Sequence, residues 1–149
     1  MKRVVITGMG IYSCIGKNLD EVKTSLYNGK SGIVFDQDRK DFGYRSPLTG
    51  MVENPDLTKQ LSRRERISLG DEGAYAYVAT IEALNNAKIT QEFLNENEVG
   101  IIYGNDSTAK AVVDSVDKIR DKQDTTLVGS GAIFQAMNST VTMNLSTLF

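Results

Sequence analysis

Val4-Val5-Ile6-Thr7-Gly8-Met9-Gly10 is a short β-branched run that ends abruptly in a glycine turn. Continuous apolar residues mark a strand buried on both faces, as in a parallel sheet, whereas a half-exposed strand alternates. The spacing predicts a buried strand over residues 4–6, followed at once by a turn. A dinucleotide fingerprint needs glycine at the first, third and sixth positions of that turn. Gly8 and Gly10 fit, but Ser13 takes the third place. The short-chain dehydrogenase form of the turn also fails, because Tyr12 and Cys14 stand where two glycines belong. Gly8 and Gly10 therefore read as places where backbone packs closely.

Outward from that turn the pattern becomes helical. Asn18 and Glu21 form a capping pair, Leu19, Val22 and Leu26 recur on one face, and Gly29 supplies the stop. Residues 30 to 61 are punctuated by Gly32, Gly43, Pro47, Gly50 and Pro55, which predicts an irregular excursion with one strand at Leu48 to Val52. Ala74, Tyr77, Val78, Ile81 and Leu84 make one apolar stripe, so a longer helix follows, starting as early as Arg63. Val99 to Tyr103 is a second strand candidate, closed by Gly104. An amphipathic helix then carries Ala109, Val112, Val113, Val116 and Ile119 on one face, with Asp106 or Ser107 as its cap.

The segment from Gly129 to Phe149 contains no charged residue. A helix without charges has no solvated face, so residues 131–148 are expected to form one helix buried on nearly every side, partly by another chain. The element order favours an α/β layered fold with a mainly parallel sheet. A buried helix at the carboxyl end needs something to cover it, and the chain is therefore expected to be part of a larger protein.

Composition narrows the function. The 149 residues suit about one domain, and 40% are apolar. No apolar run is long enough for a bilayer, and Thr7 and Gly8 interrupt the amino-terminal one too soon for a signal peptide. The net charge of −2 gives no global preference for nucleic acid. Cys14 is the single cysteine, so no internal disulfide forms, and a cytoplasmic location is the simplest fit. There is no histidine, which excludes Ser-His-Asp and Cys-His catalysis and His-ligated zinc within these residues. No metal or cofactor is expected.

Cys14 lies among Tyr12, Ser13, Ile15 and Gly16 with only Lys17 offering charge, so it reads as an inert, partly buried thiol. Arg63, Arg64 and Arg66 cluster in an acidic chain, with Lys59 near. They form either a solvated helix face or a dock for a phosphate or acidic partner. Gly104-Asn105-Asp106-Ser107 closes a strand and opens a helix, where parallel sheets bind ligands, though plain turns are commoner there. The hydroxyl-rich carboxyl-terminal segment could line a channel; more often such hydroxyls bond to the backbone one turn back.

Several stretches, in order, resemble the β-ketoacyl-acyl-carrier-protein synthases, condensing enzymes of the thiolase superfamily. These are Met1-Lys2-Arg3-Val4-Val5-Ile6-Thr7-Gly8-Met9-Gly10-Ile11, Ser25-Leu26-Tyr27-Asn28-Gly29-Lys30-Ser31-Gly32-Ile33, Tyr75-Ala76-Tyr77 with Ile81-Glu82-Ala83-Leu84, Val99-Gly100-Ile101-Ile102-Tyr103-Gly104, and Phe134-Gln135-Ala136-Met137-Asn138-Ser139-Thr140-Val141. The elongating synthases of fatty-acid synthesis are the most similar subgroup. The resemblance implies that residues 1–149 are the amino-terminal part of a thiolase-like layered fold, ending before the nucleophile. It implies a family reaction in which a cysteine at a helix amino terminus accepts an acyl group and malonyl-carrier protein condenses with it after decarboxylation, assisted by two histidines. Cys14 does not match the nucleophile, so no catalytic residue is expected here. Ser107, Phe134, Met137 and Asn138 match acyl-pocket positions, and Arg63, Arg64 and Arg66 match the patch for acyl- and malonyl-loaded acyl-carrier protein. A homodimer is implied, with no nucleic-acid or membrane partner. Two other function classes stay open: a non-catalytic relative resembling a chain-length-factor subunit, and a small α/β binding module.

Overall fold

The computed structural model of the protein describes residues 3–105 and 109–149. They form two compact units, Met1–Asn54 with Val78–Ile89 and Pro55–Tyr77 with Thr90–Phe149. The candidate cap residues Asp106 and Ser107 lie outside the described residues.

In the first unit, helix α1 (Leu19–Tyr27) starts where the capping pair predicts. The Asn18 side chain accepts from the Glu21 backbone N–H at 2.9 Å, and the Glu21 carboxylate accepts from the Lys17 backbone N–H at 2.8 Å. The first satisfies one of the orphan donors at the helix start, and the second ties the residue before the cap to the first turn. The Lys17 hydrogen bond holds the Glu21 carboxyl below its usual range. The helix ends at Gly29, with φ of +61°. Lys30 N–H returns to Ser25 C=O at 2.8 Å and Gly29 N–H to Leu26 C=O at 3.1 Å, a six-to-one and five-to-two closure that needs a left-handed residue.

A hairpin follows. Strand β1 (Ile33–Phe35) pairs antiparallel with β2 (Leu48–Gly50), with Val34 opposite Thr49. Between them helix α2 (Gln37–Asp41) is capped by Asp36. Cys14 fits against this hairpin. A Cβ added at Gly32 would sit 2.6 Å from its Sγ, and one at Gly50 would sit 3.2 Å away. The thiol is partly buried, as its apolar neighbours suggest.

The unit closes on the second half of helix α4 (Gly70–Ala87). A Cβ at Gly10 would lie 1.9 Å from the Ala79 carbonyl oxygen, and one at Gly8 would lie 2.4 Å from that of Ala83. The two backbones are in direct contact, which only glycine permits. Glu82 then accepts from the backbone N–H of Ile11 at 2.9 Å and of Leu19 at 2.8 Å.

In the second unit, helix α3 (Arg63–Ile67) leads through Gly70, with φ of +67°, into α4. Helices α5 (Gln91–Glu96), α6 (Ala109–Lys122), α7 (Ala132–Gln135) and α8 (Thr140–Leu148) follow. The core gathers Leu57, Leu61, Leu69, Tyr77, Val141 and Leu145. The Tyr77 ring stacks on Phe149 at 5.5 Å, and burial pushes its phenol up from its ordinary value.

Three expectations differ from what the described residues show. Val4, Val5 and Ile6 are 96%, 74% and 84% exposed and have no ladder partner among the described residues. Val99 to Tyr103 likewise forms no ladder there. A strand exists only through its neighbour's hydrogen bonds, so apolar sequence alone did not produce one. The mainly parallel sheet is accordingly not seen: the sheet among the described residues is the antiparallel pair β1–β2. The single buried helix over 131–148 is instead two helices, α7 and α8, separated by a turn. Asn138-Ser139-Thr140 is a run of side chains that compete for backbone hydrogen bonds, which disfavours a helix interior. Only one face of α8 is buried, at Thr140, Val141, Asn144 and Leu145, while Ile133 on α7 is 69% exposed.

The glycine contact predicts that Gly10→Ala destabilises the chain by about 2 kcal/mol or more in urea unfolding, from backbone overpacking. Gly29→Ala should cost about 1 kcal/mol, since only its left-handed φ resists a side chain there. Equal effects would refute the contact. Cys14 should react with a thiol probe at least about tenfold faster in denaturant than in the folded chain, because it packs against Gly32 and Gly50. Equal labelling rates in the two states would contradict that packing.

Candidate functional site

The basic cluster sits on α3, a helix held by both halves of a capping box. Ser62 Oγ accepts from the Glu65 N–H at 3.3 Å, and the Glu65 carboxylate accepts from the Ser62 N–H at 2.7 Å. The Ser62 hydrogen bonds hold the Glu65 carboxyl below its usual range. That carboxylate is held at the helix end and forms no ion pair with its neighbours among the described residues. Arg63 and Arg64 are exposed and form no ion pair among the described residues. Arg66 differs. It is half-buried, its Nε donates to the Leu61 carbonyl at 3.2 Å, and its charge helps to lower the Asp56 carboxyl after the hydrogen bonds from Thr58. Two arginines thus face solvent and the third belongs partly to the fold.

Phe134 lies on α7, 43% exposed, and Met137 and Asn138 lie on the exposed turn before α8. Ser107 is outside the described residues. An open groove of about 430 Å³ lies between Val99 and Ile101 on one side and Ser139, Thr142, Met143 and Ser146 on the other. Phe134, Met137 and Asn138 are not among its described lining residues. A charged hollow of about 240 Å³ includes Arg66, Asp71, Lys110, Asp114 and Gln135. Lys110 donates to the Asp71 carboxylate, which raises the lysine above its ordinary value. With Glu72 also in its wall, three carboxylates face two cations there, and no Cys, Ser or Thr is among its described lining residues.

The hydroxyls of α8 mostly turn inward on the helix itself. Ser146 and Thr147 both donate to the Met143 carbonyl, at 3.0 and 2.9 Å. Thr140 and Asn144 instead reach Ser68, a linkage the sequence reading missed. Its signal was present, since two polar residues four apart on the buried stripe of a helix need a partner. Among the described residues no group of three or more His, Cys, Asp or Glu could hold a metal ion. No helix among them is long and apolar enough to cross a membrane.

Residues 1–149 match the family described as Beta-ketoacyl synthase, N-terminal domain. The chain is 37% identical over 153 residues to 3-oxoacyl-[acyl-carrier-protein] synthase 1 of Buchnera aphidicola from Schizaphis graminum, covering 100% of this chain and 37% of that protein. It is 37% identical over 151 residues to the Escherichia coli K12 protein of the same name, again covering 37% of its length. The crystal structure of a β-ketoacyl synthase from Burkholderia phymatum superposes with a TM-score of 0.83 at 27% identity, over 99% of this chain and 37% of that one. The chain thus spans little more than a third of its relatives' length, and over that span it belongs to the β-ketoacyl synthase family, as the amino-terminal domain.

Proposed function

We propose that this chain is the amino-terminal part of a 3-oxoacyl-acyl-carrier-protein synthase, an acyltransferase of fatty-acid synthesis. The observation that carries the reading is its full-length match, at 37% identity, to synthase 1 proteins. The reaction of such an enzyme transfers an acyl group from carrier protein to a cysteine thiolate. Malonyl-carrier protein then loses carbon dioxide, and the carbanion so formed attacks the acyl-cysteine carbonyl. The thiolate leaves, and the β-ketoacyl product is two carbons longer than the acyl group that entered. The chain contains no histidine, and its one cysteine packs against a hairpin, so its own contribution is frame, docking surface and pocket wall.

Arg63 and Arg64 are read as the docking patch for acyl- and malonyl-loaded carrier protein, with Arg66 in a supporting place. The exposure of Arg63 and Arg64, and the lack of an ion pair to either among the described residues, support this. An acidic enzyme repels an acidic carrier at long range, so a local positive patch is needed for association. Ser107, Phe134, Met137 and Asn138 are read as acyl-pocket positions. Phe134 and Met137, 43% and 42% exposed, suit cover by a second copy in a homodimer. The unpaired apolar stretches 4–6 and 99–103 suit strands of a mainly parallel thiolase-like sheet. A cytoplasmic location fits this activity.

Two tests follow. The purified 149-residue chain should decarboxylate malonyl-carrier protein no faster than a no-enzyme control, and any excess would overturn the assignment of chemistry elsewhere. In the full-length protein, Arg63→Glu with Arg64→Glu should raise KM for carrier-bound substrate about tenfold, the scale of two exposed ion pairs lost and two repulsions gained. Reaction with a short acyl-coenzyme A should be nearly unchanged, and the difference should shrink in high salt. Equal loss on both substrates would make the arginines structural.

A further inference from the structure

We propose that Gln135 and Asn144 are positioning residues that hold the acyl-pocket segment in fixed register with the carrier-docking helix, and so select which acyl length is served. The inference rests on the docking and pocket readings above and deepens them.

Helix α3 is short, and its last carbonyls have no partner within the helix. Those carbonyls are taken by side chains of the next two helices of interest. Gln135 Nε2 donates to the Ile67 carbonyl at 3.0 Å. The same carbonyl faces the start of α7 so closely that a Cβ at Gly131 would lie 2.1 Å from its oxygen. The Ser68 carbonyl accepts from Asn144 Nδ2 at 3.1 Å and from Thr140 Oγ1 at 3.3 Å. Ser68 Oγ donates in return to Asn144 Oδ1 at 2.8 Å, and the second amide donor of Asn144 reaches the Thr140 carbonyl at 2.7 Å. Every donor and acceptor of the Asn144 amide is used.

The Asn144 end of this network is buried, with Thr140 0% and Asn144 6% exposed, while the Gln135–Ile67 bond lies at the surface. Apolar side chains would fill that space without the desolvation of polar groups, but apolar contacts slide. A directional, fully satisfied network permits one register. On one side of it Arg63 and Arg64 lie within the turn before Ile67. On the other, Phe134 precedes Gln135 directly and Met137 follows two residues later. The offset between docking arginines and pocket residues is therefore fixed through Ile67–Gln135 and Ser68–Asn144. An acyl chain arrives on an arm of constant length, so that offset decides how far into the pocket the chain reaches.

The test compares the full-length protein with Gln135→Met, which keeps side-chain length and removes the donor. Two quantities are read: the dissociation constant of holo-carrier protein, and kcat/KM for carrier substrates with short, medium and long acyl chains. Gln135→Met should leave holo-carrier affinity within about twofold while lowering kcat/KM at the preferred acyl length about tenfold, the usual scale of coupling between sites. The length profile should flatten. Asn144→Leu combined with Ser68→Ala leaves no side-chain group orphaned at that junction and should act in the same direction. Ser146→Ala, whose hydroxyl bonds within α8, should change nothing. An unaltered profile in folded Gln135→Met overturns the proposal, as does a uniform loss across acyl lengths together with weaker holo-carrier binding. Arg63→Glu with Arg64→Glu, measured in parallel, separates the underlying reading. If holo-carrier affinity does not fall there, docking at α3 is wrong and both readings go; if it falls while the Gln135→Met profile stays intact, only the positioning role is lost.

Discussion

The contact of the Gly8–Gly10 backbone with the Ala79–Ala83 turn of α4 is the constraint on which the first unit is built. Side chains are excluded from that interface at Gly8 and Gly10, so the chain lies there at the smallest separation from the helix that atoms allow. Peptide groups so placed must find partners, and α4 provides them from the same face. Asn86 takes the Met9 N–H at 3.2 Å, and the two oxygens of Glu82 take those of Ile11 and Leu19. One carboxylate therefore fixes the exit of the glycine turn and the entry of α1 together. Along that face α4 has little freedom to exchange its small residues for larger ones.

What could be read from sequence was whatever is decided within a few residues. Asn18 with Glu21 and Gly29 at the far end define α1 because capping is local chemistry, and both act as their spacing suggests. The close-packing role of Gly8 and Gly10 was legible for the same reason, once the nucleotide-binding turns had been excluded. The equally local caps of α2 and α5, Asp36 and Thr90, lay in stretches with too few apolar residues to suggest helices. Strands were misread for the opposite reason. Val4 to Ile6 and Val99 to Tyr103 have the composition of buried strands, but pairing is a property of two segments and no window of sequence contains it. In α7 and α8 the lack of charge was taken to mean burial on all sides. Uncharged hydroxyls on Ser146 and Thr147 instead satisfy themselves on the helix and leave an exposed face without charge.

The candidate site divides along the same line. That Glu65 forms no ion pair with Arg63 or Arg64 among the described residues follows from the capping box, which holds its carboxylate at the Ser62 backbone. That Arg66 is shared between surface and fold does not, because the Leu61 carbonyl and Asp56 come near only when the loop before α3 is folded. The Ser68–Asn144 pair spans 76 residues of sequence and joins two hydrogen-bonding types common in loops. Only the spacing of Thr140 and Asn144 on an apolar stripe hinted that something polar waited opposite.

The seat of Cys14 carries a consequence for descent. Gly32 and Gly50 both lie too close to its sulfur to accept a methyl group without movement, and the two glycines come from opposite sides of the hairpin. A lineage that enlarges Gly50 must first shrink the cysteine to alanine or glycine, since the sulfur is the nearest atom there. Gly32 gains no such freedom, because a Cβ there would still lie 2.8 Å from the Cys14 carbonyl oxygen, which every residue at position 14 carries. Loss of the thiol therefore releases one glycine of the hairpin and leaves the other held by backbone.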